Sequence, residues 1–273
     1  MRILITLFIL FLCECLTIDL DIWEQFDDHI TYLAINGPRM MKVGDTGPTS
    51  EGKSLYSWSS LTQSWTLQTG VNSFGIQVAL SQDYAFSRDT ADDLRVQQIT
   101  NSDFSSSLFG VKDIKPTNGN EIICVKTDSF SGGDFEVELF DLEFFTTTPV
   151  NIGAIKISAT LTGRIWLITG SGDIYNDLPG SFMQVSGTAR DIFMGNDDIP
   201  YIVSEDPDNY DFIIKKWNNV ENDWDDVPGI AGVSLALDFT NNLYVITSDN
   251  KAFRRRGLTY SFCPGKNKIN SYF

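Results

Sequence analysis

The chain has 273 residues and a formal net charge of −16, with 36 acidic against 20 basic side chains. Such an excess of carboxylates repels phosphate backbones and anionic headgroups, which excludes nucleic acid and a polybasic membrane anchor as partners. A single histidine excludes a His-cluster zinc site and makes any Ser-His-Asp triad depend on that one residue.

The first segment reads as a leader. Arg2 precedes an apolar run, Ile3 to Leu12, interrupted by Thr6 alone and too short to cross a bilayer. Small residues follow at Cys13 and Cys15, which places cleavage near Cys15 to Thr17. Residues 1–17 are therefore expected to be a signal peptide and the mature protein to be secreted and extracellular. A lipoprotein leader would need a small residue before the modified cysteine, and Leu12 and Glu14 stand there instead. Cleavage leaves Cys124 and Cys263. They could form one bridge, or Cys124 could be a buried free thiol in the apolar strand Ile122-Ile123-Cys124-Val125. No Asn-x-Ser/Thr acceptor for glycosylation occurs.

From Trp23 the sequence repeats with a period of about forty residues, the mark of a propeller or solenoid. Residues 157–169 align without a gap on 235–247, and Ile174-Tyr175 continue onto Ala252-Phe253. Units open near Trp23, Trp65, Phe104, Phe145, Phe182 and Trp224. Trp58 and Trp65 are spaced as Trp217 and Trp224 are, four units later. Strands rich in Ile, Val, Tyr, Phe and Trp alternate with Asn118-Gly119, Thr162-Gly163, Asp197-Asp198 and Asn241-Asn242, which tolerate the positive φ of tight hairpins. Thr69-Gly70, Ser186-Gly187 and Pro228-Gly229 read as further turn signals. No window sustains helical periodicity beyond the leader.

The expected architecture is all-β: a six-bladed propeller over residues 18–256, small antiparallel sheets packed around one axis so that each buries its faces between neighbours. Ring closure should pair the segment before Trp23 with strands near 243–255, and deleting 18–22 should lower the melting temperature. The tail, 257–273, carries Tyr260, Phe262, Tyr272 and Phe273 and is expected to pack back on the ring.

The repeat resembles the tectonin family of β-propeller lectins, whose units run from a Trp to a Pro-Gly turn, a strand, a hairpin and an aromatic-bearing strand. Trp224, Pro228-Gly229, Val233 to Leu237, Asn241-Asn242, Leu243-Tyr244-Val245 and Phe253-Arg254 follow that order in the sixth unit. Ile152-Gly153, Gly163, Ile165-Trp166 and Ile174-Tyr175 follow it in the fourth. Units two and five match through fewer residues, and units one and three keep spacing and polarity alone. The resemblance implies carbohydrate binding. Trp224-Asp225 opens a unit and has no Gly-His partner, unlike a WD40 repeat.

Several patterns carry chemistry on their face. Asp206 to Asp211 looks like a calcium loop, but glycine is missing at its sixth position and Trp217 replaces the bidentate Glu at its twelfth; Asn196-Asp197-Asp198 and Asn222 to Asp226 could also ligate Ca²⁺. His29 follows Asp27-Asp28 directly, a poor geometry for an orienting carboxylate. No Asp-box of the sialidase kind occurs, and Arg254-Arg255-Arg256 alternate faces on a strand and cannot clamp one ligand. Glycoside hydrolysis needs only two carboxylates, and no pair stands out, so no catalytic residue is expected. Trp166, Tyr244, Phe86 and Tyr201, at equivalent positions, read as core. Trp58, Trp65, Trp217 and Trp224 lie at unit junctions, where an aromatic could stack on a sugar while Asp223 and Asp225 take its hydroxyls.

The preferred reading is a secreted, non-enzymatic lectin that binds glycans or glycoproteins through weak, blade-related sites made strong by multivalency. The rivals are a self-assembling coat or fibre subunit and, behind it, a glycoside hydrolase.

Overall fold

The computed structural model describes residues 16–36, 38–46, 52–69, 74–81, 83–98, 103–108, 110–117, 121–143, 146–160, 163–178, 181–195, 197–238, 240–263 and 266–270. The expected leader lies outside them except for Leu16 and Thr17, which begin β1 (Leu16–Asp27). No described helix is long and apolar enough to cross a membrane.

The first blade is β2 (Ile30–Asn36), β3 (Arg39–Gly44), β4 (Lys53–Ser59) and β5 (Ser64–Leu67), with β6 (Phe74–Gly75) pairing β4. The second is β7 (Gln77–Leu80), β8 (Tyr84–Arg88), β9 (Leu94–Gln98) and β10 (Ser105–Leu108). The third is β11 (Val111–Pro116), β12 (Glu121–Ser129), β13 (Phe135–Asp141) and β14 (Thr146–Ala154). The fourth takes β15 (Lys156–Ala159), β16 (Ile165–Ile168), β17 (Asp173–Leu178) and the first half of β18 (Ser181–Met194). From Ala189 onward β18 changes sheet and becomes the innermost strand of the fifth blade, with β19 (Pro200–Asp208), β20 (Asp211–Asn218) and β21 (Asp223–Gly232). The sixth is β22 (Ser234–Leu237), β23 (Leu243–Ile246) and β24 (Ala252–Cys263), completed by β1 from the other end of the chain and followed by β25 (Lys266–Asn270) on β24.

The ring closes through its innermost strands, since β2, β7, β11, β15, β18 and β22 each touch the next and β22 touches β2. Six buried clusters fill the six spaces between neighbouring blades among the described residues. The apolar strands are short because each must bury both faces and nothing more. β16 and β23 are buried throughout, and Phe86, Trp166, Tyr201 and Tyr244 take equivalent places in these interfaces, as the repeat predicts. Hairpin tips use the expected chemistry: Gly163, Asp198 and Asn241 all have positive φ. Asn118-Gly119, Thr162 and Gly70 lie outside the described residues.

Closure joins the two ends of the chain as expected but in a shifted register: the segment before Trp23 pairs with Arg256 to Phe262, and Trp23 to Asp27 take the partners Ala252 to Arg255. β1 runs antiparallel to β24 from Leu16↔Phe262 to Asp27↔Ala252. The tail is not a loop packed back on the ring: β24 continues without a break across residue 256, and β25 turns back on it through Cys263↔Lys266. Strand pairing continues past the blade because β1 supplies a partner backbone along the whole of β24. Arg254 and Arg256 sit on one face of β24 and both reach Glu24 of β1, at 3.2 and 2.6 Å, so the basic run fastens the two ends of the chain.

Two of the supposed turns are bulges within long strands. Gly187 and Gly229 lie in β18 and β21 with φ of +88° and +80°, where the register slips. Each glycine receives the Trp of the next blade. Trp224 Cδ1 would be 3.4 Å from a Cβ on Gly187, and Trp23 Cδ1 the same distance from one on Gly229. The indoles donate to the preceding carbonyls, Trp224 to Ser186 at 2.8 Å and Trp23 to Pro228 at 3.0 Å. The bulge thus turns a carbonyl toward the neighbouring blade and leaves room for the ring.

Candidate functional site

The six innermost strands bring one polar residue each to equivalent positions, just before a buried apolar one: Tyr32, Gln77, Asp113, Lys156, Asp191 and Ser234. Together they form a belt across the ring axis. Gln77 donates to the Tyr32 hydroxyl at 3.0 Å and to Asp113, while Lys156 lies 3.7 Å from Asp113 and Ser234 donates to Asp191 at 2.9 Å. Asp113 also accepts from the Ile157 backbone at 3.0 Å. Burial opposes the charge on Asp113, but Lys156, Lys115 and these hydrogen bonds hold its carboxyl below the usual carboxylate range. The Asp113 carboxylate raises the Lys156 pKa against burial. Buried charges of opposite sign are arranged to keep one another ionised.

One step further along the strands the belt gives way to a cavity of about 240 Å³, lined by Ala34, Ala79, Lys115, Ser158, Phe193 and Leu237 among others, with Asn36, Thr160 and Asp238 at its hairpin end. Lys115 is 4% exposed. Its ammonium donates to the Tyr32 hydroxyl at 3.0 Å and stands 4.0 Å from the centre of the Phe193 ring.

Two grooves open between blades. Between the sixth and first blades, a groove of about 350 Å³ is lined by Asp28, His29, Lys42, Asp45, Tyr56 and Trp65. Lys42 lies over the Tyr56 and Trp65 rings at 5.4 and 5.0 Å and pairs with Asp27 at 2.6 Å. His29 bonds Asp45 at 2.6 Å. That hydrogen bond, with the charge of Asp45 and Asp28, raises the His29 pKa, while Asp45 is lowered by the same contact. The raised value means that the favourable contribution of the pair is full below about 6.5 and fades as pH rises through the folded-state pKa. The imidazole signals of this single histidine should therefore titrate above the ordinary value by NMR, and Asp45→Asn should return them toward it. A folded Asp45→Asn protein with an unmoved titration would contradict the pairing.

The second groove, about 660 Å³, lies between the fifth and sixth blades and is lined by Asp208, Tyr210, Asp211, Asp226, Ser248 and Asp249 among others. Tyr210 is 90% exposed.

The sequence-predicted residues are brought together in pairs. Trp58 and Trp65 are directly cross-strand, with ring centres 5.2 Å apart, and pack with Phe26. Trp217 and Trp224 are cross-strand at 5.0 Å, with Trp166 against both. Trp217 is buried and Trp224 is half-buried over Gly187. Asp223 and Asp225 are exposed but already bonded, to Ser186 at 2.8 Å and Asn218 at 3.0 Å. The Trp224 backbone N–H and the Ser186 hydroxyl keep Asp223 below the usual carboxylate range. Of the six, Trp65 alone lines one of the grooves described here.

Of the two fates open to Cys124, the structure takes the buried free thiol. The bridge to Cys263 is not formed, because Cys124 lies inside the third blade's interface with the second whereas Cys263 ends a strand of the sixth. Burial pushes the Cys124 thiol up to about 12. Among the described residues no three His, Cys, Asp or Glu side chains gather as metal ligands. In the loop that resembles a calcium site, Asp206 pairs with Lys215 at 2.7 Å and Asp211 accepts from the Ser248 backbone. Asn196 lies outside the described residues.

The axial belt, Lys115 and the Tyr210 groove were not legible as sites. The belt's signal is only a polar residue before each core strand, and it acquires meaning when six strands converge.

No protein-family model matches the chain, and no curated protein matches it in sequence. Solved structures do resemble it. A hydrazine synthase structure from Kuenenia stuttgartiensis is similar with a TM-score of 0.59 at 13% identity, over 85% of this chain and 76% of that one. A structure described as YCF48 bound to D1 peptide gives 0.54 at 10%, over 92% and 85%. The WD40 β-propeller domain of Doa1 gives 0.54 at 10%, over 86% and 97%. The fold is a β-propeller. At these identities the likeness speaks for the fold of this propeller and not for its ligand.

Proposed function

We propose that this propeller is a secreted, non-enzymatic, lectin-like protein of tectonin type that binds extracellular glycans in the grooves between its blades. One observation carries the reading: two interblade grooves pair aromatic rings with carboxylates, Trp65 and Tyr56 beside Asp28 and Asp45, and Tyr210 beside Asp208, Asp211 and Asp226. Aromatic faces suit sugar C–H surfaces, and carboxylates suit hydroxyl donors. Weak sites repeated on one body gain strength on a multivalent surface. Trp217 and Trp224 serve in this reading as scaffold.

Tyr210→Ala gives the clean test, because an exposed side chain can be removed within about 0.5 kcal/mol of stability. On a glycan array the wild-type chain should bind a sugar class, and Tyr210→Ala and Asp28→Ala should each weaken it while melting as wild type does. A folded chain with no glycan binding would contradict the reading, as would release of reducing sugar that depends on a single carboxylate.

One observation favours a self-assembling subunit instead. β1, β24 and β25 form a three-stranded ladder, and among the described residues β1 and β25 pair with β24 alone. Unpaired edges accept strands from other chains. Light scattering on the whole chain separates the two: open assemblies without sugar binding would favour the subunit.

A further inference from the structure

We infer that the axial cavity is a binding site for a small organic carboxylate, with Lys115 as its charge partner. The site is separate from the interblade grooves and does not depend on them. Lys115 brings a full positive charge to the cavity wall while being almost wholly buried. An ammonium has three donors. Among the described residues one of them meets an acceptor, the Tyr32 hydroxyl, and no carboxylate of those residues lies within ion-pair distance. The ammonium also lies over the faces of Phe193 and Tyr32, at 4.0 and 5.6 Å, which attract a cation but accept no strong hydrogen bond.

Asp113 and Asp191 act on the Lys115 ammonium through space and help keep it charged against burial, but neither lies within ion-pair distance of it and their hydrogen bonds are made elsewhere. Asp113 takes Gln77, Lys156 and the Ile157 backbone, and Asp191 takes Ser234. The donors that remain on Lys115 therefore call for an oxygen acceptor from within the cavity. A carboxylate answers this best, since hydrogen bonds between ionised partners are roughly twice as strong as neutral ones. Asp238, at the hairpin end, is the one acidic residue among the remaining walls, and its carboxylate is taken up by Thr240 and Asn242. The others, Ala34, Ala79, Leu237 and Phe193 against Ser158, are apolar or neutral and suit a compact organic body behind the carboxylate. The cavity of about 240 Å³ limits that body to about one sugar ring or less.

Glucuronate and glucose share a ring and differ by the carboxylate, so they are the first probes, with lactate as a smaller acid. Calorimetry on the whole chain should show one glucuronate or lactate per chain, with glucose at least tenfold weaker, and the acid should raise the melting temperature. Lys115→Met should weaken the acid about tenfold or more. Ala34→Leu, which adds bulk at the cavity wall on the same face of β2 as Tyr32 and leaves Lys115 in place, should block it as well, and decides the matter if Lys115→Met fails to fold. Tyr210→Ala should leave acid binding unchanged, so the groove and the cavity can fail independently. Equal affinity for glucose and glucuronate, no binding of either acid, or full binding by a folded Lys115→Met or Ala34→Leu protein would overturn the assignment.

Discussion

Removal of residues 16–27 is expected to abolish cooperative folding of the whole ring. β1 is the outer strand of the sixth blade, and without it β24 loses its partner along its length. Trp23 leaves the cluster between the fifth and sixth blades, and Phe26 leaves the one between the sixth and first, where it touches Trp58, Trp65 and Tyr244. Trp23 and Phe26 are half-buried, so truncating each costs at most the roughly 3–5 kcal/mol of a fully buried Phe or Trp, and a domain has about 5–15 kcal/mol in all. Losing both, with the Glu24 contacts to Arg254 and Arg256, should exhaust that margin. The shorter deletion of 18–22 should cost less, because those residues pair with Arg256 to Tyr260 in the projecting ladder and leave Trp23 and Phe26 in the chain. Denaturant titration followed by tryptophan fluorescence checks this. An unchanged midpoint after removal of 16–27 would contradict the closure.

Trp224→Ala should destabilise the protein by about 3–5 kcal/mol, lowering the melting temperature by roughly 10 °C or more. The indole fills the interface between the fourth and fifth blades against Trp166 and Trp217, and its N–H satisfies the Ser186 carbonyl. Deleting it leaves a cavity and an unpaired carbonyl. Gly187→Ala should act in the same direction, because φ of +88° is strained for alanine, although the added methyl would only touch the ring at an ordinary contact distance. If Trp224→Ala melted like wild type and lost only ligand binding, the residue would be a contact for ligand and not a staple between blades.

The period, the strand content and the joining of the chain ends were readable because they are properties of spacing. A repeat of about forty residues with hairpin chemistry at fixed offsets leaves few other solutions. The roles of the tryptophans were harder to read. A Trp at a blade junction can face solvent or a neighbour, and the choice between them depends on Gly187 and Gly229 of the preceding blade, which sequence spacing presents as turns. Lys115 was hidden for a different reason. It looks like the polar alternate of an edge strand, and only convergence of six such strands takes it out of water.

Hydrogen exchange over β1 and β24 tests the closed ring most directly. Those backbone amides of Trp23 to Phe26 that face β24, and those of Phe253 to Arg256 that pair with β1 or β23, should be protected together and exchange only with global unfolding, as paired strands of one cooperative sheet do. Fast exchange at every amide of Trp23 to Phe26, those facing β24 included, while β23 stays protected would show an open ring and contradict the architecture on which both grooves and the axial cavity rest.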